Sequence, residues 1–317
     1  MTGLLTRPYE AADAAAVADL MNLIEERAGG HPGHTRDEIE SLLAGLVRDP
    51  AADSRIVVGP DGLVAAAIVA TPPAGGFRVD VLGGVHPQWR GRGIGRELLG
   101  WQLARAAEIH RAVAPDAAWE VHAGAYLGDR DAIRLFERLG MTPARYWFDM
   151  VAPTAEPPAP ALPEGLAARR YSAADEKAVH AAHMEAFADH WGYQRRGLDE
   201  WATLTVRSES FLPDLSLLAV DGDEVSGYVL SYRDADPTRV YIGHVGVRQR
   251  WRRRGVAGAL LGAVLTAAGR AGYTSAGLSV DADSPTGAVG VYERVGFTTT
   301  SRSVNYVAPL PPAATAR

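Results

Sequence analysis

Cysteine is absent from the 317-residue sequence, and long apolar runs are missing as well. The lack of cysteine excludes disulfides, thiolate nucleophiles and zinc sites of the cysteine type. No apolar stretch approaches the length that crosses a bilayer, and the first residues turn polar too early for a signal peptide. We therefore expect a soluble protein of the cytoplasm that has no membrane partner.

A strong excess of one charge is also lacking, because the net charge is -6 with 22% charged and 47% hydrophobic residues. These values are typical of globular chains, and the length suffices for two domains of ordinary size. The acidic balance argues against a nucleic-acid partner. The histidines show no metal-ligand spacing of the H-E-x-x-H kind, so we expect no metal.

An internal repeat organises the chain. VHPQWRGRGIG at residues 85–95 and VRQRWRRRGVA at residues 247–257 each precede a helical apolar pattern. A second pair of blocks follows in the same order, AIRLFERLGM at 132–141 and AVGVYERVGF at 288–297. Between the copies, residues 151–165 contain five prolines, which is typical of a linker. The sequence thus predicts two tandem domains, 1–151 and 166–310, joined by a linker at 152–165.

Each copy mixes strands and helices in the same order. The second copy has a hairpin at 215–220 and 225–232, then strand 240–247, helix 255–271, strand 276–280 and helix 288–295. The first copy repeats it with strands at 56–58, 64–70, 79–85 and 118–122 and helices at 93–110 and 132–139. This order predicts an α+β fold in which a mixed, mostly antiparallel sheet is flanked by helices.

A loop rich in arginine and glycine precedes the long helix of each copy. The first turn of a helix has unpaired N–H groups and partial positive charge, which suit a diphosphate. The loop residues are Arg252, Arg253, Arg254, Gly255, Val256 and Ala257 in the second copy, and Arg90, Gly91, Arg92, Gly93, Ile94 and Gly95 in the first. A solvated arginine face or a tight turn would explain one such loop. Two loops in equivalent places favour a pyrophosphate site.

The loops and the later blocks together resemble the GCN5-related N-acetyltransferase (GNAT) family. Its loop reads Arg/Gln-x-x-Gly-x-Gly/Ala, and its later block reads Asn-x-x-Ala-x-x-x-Tyr-x-x-x-Gly-Phe. The resemblance covers nearly the whole chain as two copies. It implies that acetyl-coenzyme A is a co-substrate and lies where two parallel strands, ending at Val247 and Val280, splay apart.

The same resemblance implies which residues hold the coenzyme. Backbone groups of Val245, Gly246 and Val247 would bind the pantetheine and the acetyl oxygen, and Val85 has the corresponding place in the first copy. Ser284 stands near the position of the family's Asn, where it could replace one of the amide's hydrogen bonds.

Acetyl transfer to an amine needs a neutral nucleophile, a polarised carbonyl and a proton for the leaving thiolate. The resemblance assigns that proton to Tyr292, and Phe136 occupies the matching position of the first copy. A core aromatic in a packing motif is the plainer alternative for Tyr292. We expect the second copy to be catalytic and the first to be degenerate or a purely structural binder.

The general base and the acceptor pocket are less sharply defined. The candidate bases are Glu185, Asp189, His190 and His244. The resemblance places the acceptor pocket at Phe187, Asp189, His190 and Trp191, although these aromatic residues could equally belong to the core.

Three functions stay open at this point. The first is acetylation of a primary amine of a small molecule, and the second is acetylation of the cysteinyl amine of a thiol precursor. The third is a non-catalytic acetyl-coenzyme A sensor or scaffold. No short motif encodes the acceptor, and either a monomer or a homodimer is compatible with two fused copies.

Overall fold

The computed structural model describes residues 3–30, 32–158 and 160–312. Residue 159 of the predicted linker and residues 1, 2 and 31 of the predicted first domain lie outside the described residues. The chain forms two compact units, one of Met1–Tyr146 with Ser303–Arg317 and one of Trp147–Arg302. The sequence predicts domains that are each continuous in the chain, whereas the segment that begins at Ser303 belongs to the first unit.

The first unit contains one sheet and five helices among its described residues. Its elements are β1 (Leu5–Arg7), α1 (Ala14–Arg27), α2 (Arg36–Leu46), α3 (Pro50–Asp53), β2 (Ser54–Gly59), β3 (Gly62–Ala70), β4 (Arg78–Val85), α4 (Ile94–Val113), β5 (Trp119–Tyr126), α5 (Arg130–Arg138) and the start of β6 (Thr142–Pro153). Neighbouring strands in the order β1-β2-β3-β4-β5 are antiparallel, except that β4 and β5 are parallel.

The second unit repeats this arrangement. Its elements are β7 (Ala167–Arg170), α6 (Glu176–Ala186), α7 (Leu198–Leu204), β8 (Leu217–Asp221), β9 (Glu224–Arg233), β10 (Arg239–Val247), α8 (Val256–Arg270), β11 (Ser275–Asp281), α9 (Ala288–Val295) and the start of β12 (Thr298–Leu310). The strand order is β7-β8-β9-β10-β11, and only β10 and β11 are parallel.

A strand from the other copy completes each sheet. Residues 147–153 of β6 pair antiparallel with β11 in the second unit, and residues 303–310 of β12 pair antiparallel with β5 in the first. β6 continues to Pro153 and so includes the first two residues of the predicted linker. The predicted α+β fold, a mixed and mostly antiparallel sheet flanked by helices, is confirmed.

The parallel strands of each unit pair over only three residues. In the second unit Arg239–Tyr241 pair with Ser275–Gly277, although both strands continue. A bulge in the pairing of β10 with β9 between Ile242 and His244 re-aims the second half of β10. The opening between the ends of β10 and β11, here called the split, leaves one backbone edge of β10 without a strand partner in this unit.

Two layers cover the sheet of the second unit. Apolar residues of α8 recur every three or four positions and pack on one face, with Leu260, Leu261, Val264 and Leu265 almost fully buried. On the opposite face, here called the α6 face, Val179 and Ala182 of α6 pack against Tyr228, Leu230 and Tyr232 of β9. Alternate residues of β9 thus point to opposite faces.

Candidate active site

The loop before α8 has the backbone of an anion site. Gly255 caps the helix in the left-handed region, with φ at 86°, and Arg253 also has a positive φ of 59°. Helix geometry leaves the first N–H groups of α8 without acceptors in the helix. The side chains of Arg253 and Arg254 are exposed, and among the described residues neither forms an ion pair. The loop therefore offers N–H donors, the helix dipole and two available cations to an anion.

The first arginine of each loop has a structural partner. Arg252 donates to the Val247 carbonyl at 3.3 Å, to the Ala186 carbonyl at 2.8 Å and to the Asp189 carboxylate at 2.6 Å. Arg90 likewise donates to the Val85 carbonyl at 3.3 Å. These contacts fix the end of the strand against the loop, so the charge of Arg252 is already balanced by Asp189.

Arg90 makes its ion pair on a different element. Both of its terminal nitrogens lie 2.8 Å from the carboxylate of Asp129, which also caps α5 by accepting from the Ala132 amide. Asp129 is a residue that the sequence analysis missed. It stands three residues before Ala132, where the family motif has Asn, and that spacing was the available signal.

Tyr292 lies on α9 beside the core under the split. Its ring is half-buried and meets Phe297 edge-on, with ring centres 5.9 Å apart. Burial raises its pKa to about 12, so the phenol keeps its proton throughout the physiological range. No hydrogen bond of its hydroxyl is found within the described part of the chain. Phe136 on α5 packs on Tyr306 with centres 5.4 Å apart and has no proton to offer.

A cluster of histidine and tyrosine rings lies on the α6 face. His244, directly after the bulge of β10, has Nδ1 3.0 Å from the Tyr232 hydroxyl. The buried His183 of α6 has Nδ1 2.8 Å from the Tyr228 hydroxyl. The two imidazole rings meet edge-on at 5.4 Å. This arrangement brings two tyrosine–histidine pairs next to the strand that borders the split.

Both imidazoles are neutral at physiological pH. Burial lowers the pKa of His244 to about 4. Burial, and then the neighbouring histidines, lower the pKa of His183 to about 3. Gly246 makes room for this cluster, because a Cβ there would lie 2.5 Å from the Tyr228 ring. A larger residue at this position of β10 would displace Tyr228.

Glu185 is held by an ion pair. Its carboxylate lies 2.6 Å from Arg248 Nε and accepts from the Gln249 amide at 3.0 Å. Burial raises the pKa of Glu185, but the bonds from Arg248 and Gln249 outweigh this effect and the net pKa is lowered. Asp189 also has a lowered pKa, because Arg252 donates to it. Both carboxylates are therefore weaker proton acceptors than the sequence alone indicates.

The remaining predicted pocket residues follow α6 in the chain. Phe187 stacks on His183 with ring centres 4.4 Å apart. The ring centres of His190 and Trp147 of β6 are 5.9 Å apart. The Trp191 carbonyl accepts a hydrogen bond from Nδ1 of His190 at 3.2 Å. Phe187 and His190 thus join the aromatic cluster, whereas Ser284 bonds locally to Thr286 at 3.0 Å in the loop before α9.

Sequence reasoning missed His183, Tyr228 and Tyr232. A signal for them existed, because Tyr228 and Tyr232 have the spacing of one strand face and His183 lies one helical turn from Phe187. Within the described ranges no group of three potential ligands could hold a metal ion. None of the described helices is both long and apolar enough to span a bilayer.

The fold and this site together define a class. A mixed sheet with a split parallel pair and a loop with the backbone of an anion site before the long helix is suited to a phosphate-bearing acyl thioester.

The comparisons with known proteins agree with this class. The acetyltransferase (GNAT) family model matches residues 175–297. A mycothiol acetyltransferase from Salinispora arenicola is 33% identical over 314 residues, which cover 93% of this chain and 94% of that protein. The chain belongs to the GNAT acetyltransferase family.

Solved structures show the same architecture over almost the whole chain. A GCN5-related N-acetyltransferase from Sphaerobacter thermophilus is 33% identical with a TM-score of 0.79, covering 98% of this chain and 96% of that one. A tandem GNAT protein from the clavulanic acid biosynthesis pathway has a TM-score of 0.71 at 21% identity, covering 98% and 99%. The second likeness concerns the fold alone.

Proposed function

We propose that this chain is an acetyl-CoA-dependent N-acetyltransferase whose second unit transfers an acetyl group to a primary amine of a small molecule. The observation that carries the proposal is a difference between the two units. Where the second has Tyr292 and His244, the first has Phe136 and Leu82 at the matching positions. Of these four side chains, only the two of the second unit carry polar hydrogens.

The loop and the split accommodate the two ends of the coenzyme. The N–H groups at the start of α8, with Arg253 and Arg254, would bind the pyrophosphate. The unpaired edge of β10 near Val245 would bind the pantetheine and polarise the acetyl carbonyl through a backbone N–H. Acetyl-CoA would thus extend from the loop into the split.

The reaction then needs a single displacement. The neutral amine nitrogen attacks the carbonyl carbon, the carbon–sulfur bond breaks, and the proton lost by the nitrogen finally reaches the thiolate. Tyr292 has a pKa of about 12, above that of a thiol at about 8.5. Its contribution is therefore a hydrogen bond to the developing thiolate, and no step requires an acid stronger than the phenol.

A second candidate is acetylation of the cysteinyl amine of a thiol precursor. It is favoured by the relative from Salinispora arenicola, which is a mycothiol acetyltransferase 33% identical to this chain. The same chemistry would serve, since the cysteinyl group also presents a primary amine.

One assay tests both candidates. Thiol release from acetyl-CoA is followed with a panel of alkylamines, amino-acid amides, aminosugars and a cysteinyl aminosugar, and the products are weighed by mass spectrometry. We expect release that depends on an amine and a product heavier by one acetyl group. Tight binding of acetyl-CoA without release by any member would instead indicate a sensor or scaffold.

A further inference from the structure

Each of the two tyrosine–histidine pairs contains a buried tyrosine. Tyr228 has no exposed surface and Tyr232 is 6% exposed. Within the described residues, the only hydrogen-bond partner of each hydroxyl is Nδ1 of one histidine, at 2.8 Å for His183 and 3.0 Å for His244. The phenol proton of each tyrosine is therefore either donated to that histidine nitrogen or left without an acceptor among the described residues.

This restriction decides the direction of the bond. A buried hydroxyl proton without an acceptor destabilises the fold, because it has lost its hydrogen bonds to water and gained none in return. The cost is avoided when the phenol donates to a bare Nδ1, which in a neutral imidazole leaves the proton on Nε2. If instead Nδ1–H donated to the tyrosine oxygen, the phenol proton would remain unpaired. The tautomer with Nε2–H is therefore favoured in both pairs.

We propose that His244 is a neutral hydrogen-bond donor through Nε2 and not the general base, and that Tyr232 is the positioning residue that fixes this tautomer. The inference rests on the proposed function of the second unit. Nε2 of His244 has no partner in the described part of the chain, so its N–H is free to bond an oxygen of the substrates beside β10.

The groups around His244 agree with a donor role. The rings that face it are Tyr232 from β9, His183 from α6 and Phe187 after α6. The nearest acids along that layer, Glu185 and Asp189, are neutralised by arginines. The α6 face therefore presents donors and neutral rings to the acceptor. The amine would have to lose its proton in solution before it binds.

Two substitutions of His244 separate the roles. In His244→Gln the side-chain amide can place an N–H near the former Nε2 but cannot act as a base, whereas His244→Met fills a similar volume without a donor. With the best amine of the panel we expect His244→Gln to keep kcat within about fivefold and His244→Met to lose about 100-fold. The KM for acetyl-CoA should change little in both.

Tyr232 is tested by nitrogen-15 NMR of the histidine rings. In the wild type Nε2 of His244 should have the shift of a protonated ring nitrogen and Nδ1 that of a bare one. Tyr232→Phe should give a mixture of tautomers and a lower kcat. Tyr171→Phe is the matched control, because Tyr171 is buried in the same core and packs edge-on against Phe211 without touching His244. It should change neither spectrum nor rate.

The outcomes are distinguishable. An active wild type in which His244→Gln is as impaired as His244→Met, or a spectrum with the proton on Nδ1, overturns the donor role and leaves the proposed function standing. A wild type that releases no thiol with any amine overturns the proposed function itself. The NMR result would still report the tautomer in that case.

Discussion

The two units share a backbone framework, and they differ in the side chains placed on it. In both, an arginine of the first strand forms a two-point ion pair with the aspartate that begins the first helix, Arg7 with Asp13 and Arg169 with Asp175. In both, the helix after the loop begins at a glycine with φ of 86°. The copies therefore retain the contacts that define the fold.

The difference lies at the positions where, under the proposed function, the second unit would face the thioester. At matching positions the second unit has polar rings where the first has apolar or small residues. The pairs, first unit against second, are Met21 and His183, Ala66 and Tyr228, Ala70 and Tyr232, Leu82 and His244, and Phe136 and Tyr292. The first unit has the same fold without these polar rings. The rings are therefore not required to form the fold.

The first unit also has a more crowded split. A Cβ on Gly128, after β5, would lie 2.1 Å from the Ala28 carbonyl, and a Cβ on Gly30 would lie 2.5 Å from the Tyr126 ring. The turn after α1 thus touches the end of β5. We expect this contact, together with the pair between Arg90 and Asp129, to oppose entry of a pantetheine arm into the first unit.

The largest effect is expected from exchanging the two aromatic residues. Tyr292→Phe removes the hydrogen bond proposed for the developing thiolate, and we expect kcat to fall about 100-fold with little change in the KM for acetyl-CoA. Phe136→Tyr should leave the rate unchanged, because the counterpart of His244 in the first unit is Leu82, which carries no polar hydrogen. Steady-state thiol release measures both. A rate for Tyr292→Phe equal to the wild type would show that the phenol does not stabilise the thiolate, and the main contrast between the units would be lost.

A smaller effect is expected from the paired loop glycines. Alanine at φ of 86° is strained by about 1–2 kcal/mol, so Gly93→Ala and Gly255→Ala should destabilise their units alike. Only Gly255→Ala should weaken acetyl-CoA binding, by about tenfold, because its methyl group meets the phosphates. Calorimetry should give one site per chain. Two sites, or equal weakening by both variants, would show that the first unit also binds the coenzyme.

The sequence predicted the framework because the framework is local. The apolar period of α8, the glycine before it and the repeated blocks are all visible along the chain, and the elements follow within a few residues. Exchange of the last strands was not predictable, because pairing with β5 or β11 depends on contacts more than a hundred residues apart. No local pattern distinguishes β6 from β12.

The site was predicted less completely for a similar reason. Tyr292 and the loop belong to short motifs, whereas the partners of His244 and Glu185 come from other elements. Glu185 looks like a free carboxylate in the sequence, and only folding brings Arg248 to it from the end of β10. The charge balance of Glu185 and the tautomer of His244 both depend on partners that are distant in the sequence. They become visible when the elements are assembled.

A modest effect is expected from Glu185→Gln. The substitution removes a possible base and keeps the shape, while an ion pair exposed to this extent contributes only about 0.2–1 kcal/mol. We expect kcat to stay within about threefold of the wild type, since Arg248 already occupies the carboxylate. Initial rates across the pH range measure this. A loss comparable to that of Tyr292→Phe would return Glu185 to the role of base.

The smallest effect concerns the ion pairs that the units share. Hydrogen bonds from Arg7 and Arg169 lower the pKa of Asp13 and Asp175, so each pair stabilises its unit above the unfolded pKa of about 3.9 and this contribution is lost as the pH falls through the lower folded pKa. Arg7 is 27% exposed and Arg169 42%, so solvent screens the second pair more. Asp13→Asn should therefore cost about 1 kcal/mol near pH 7 and Asp175→Asn less.

Urea unfolding of both variants near neutrality and below pH 4 checks this order. Each substitution should flatten the acid dependence of its own unit, because an amide has no proton to take up. If Asp175→Asn lowered the free energy of unfolding more than Asp13→Asn, solvent exposure would not determine how much each ion pair stabilises its unit. The second unit would then depend on its first helix more than the first unit does, as expected if α6 has to hold His183 in place.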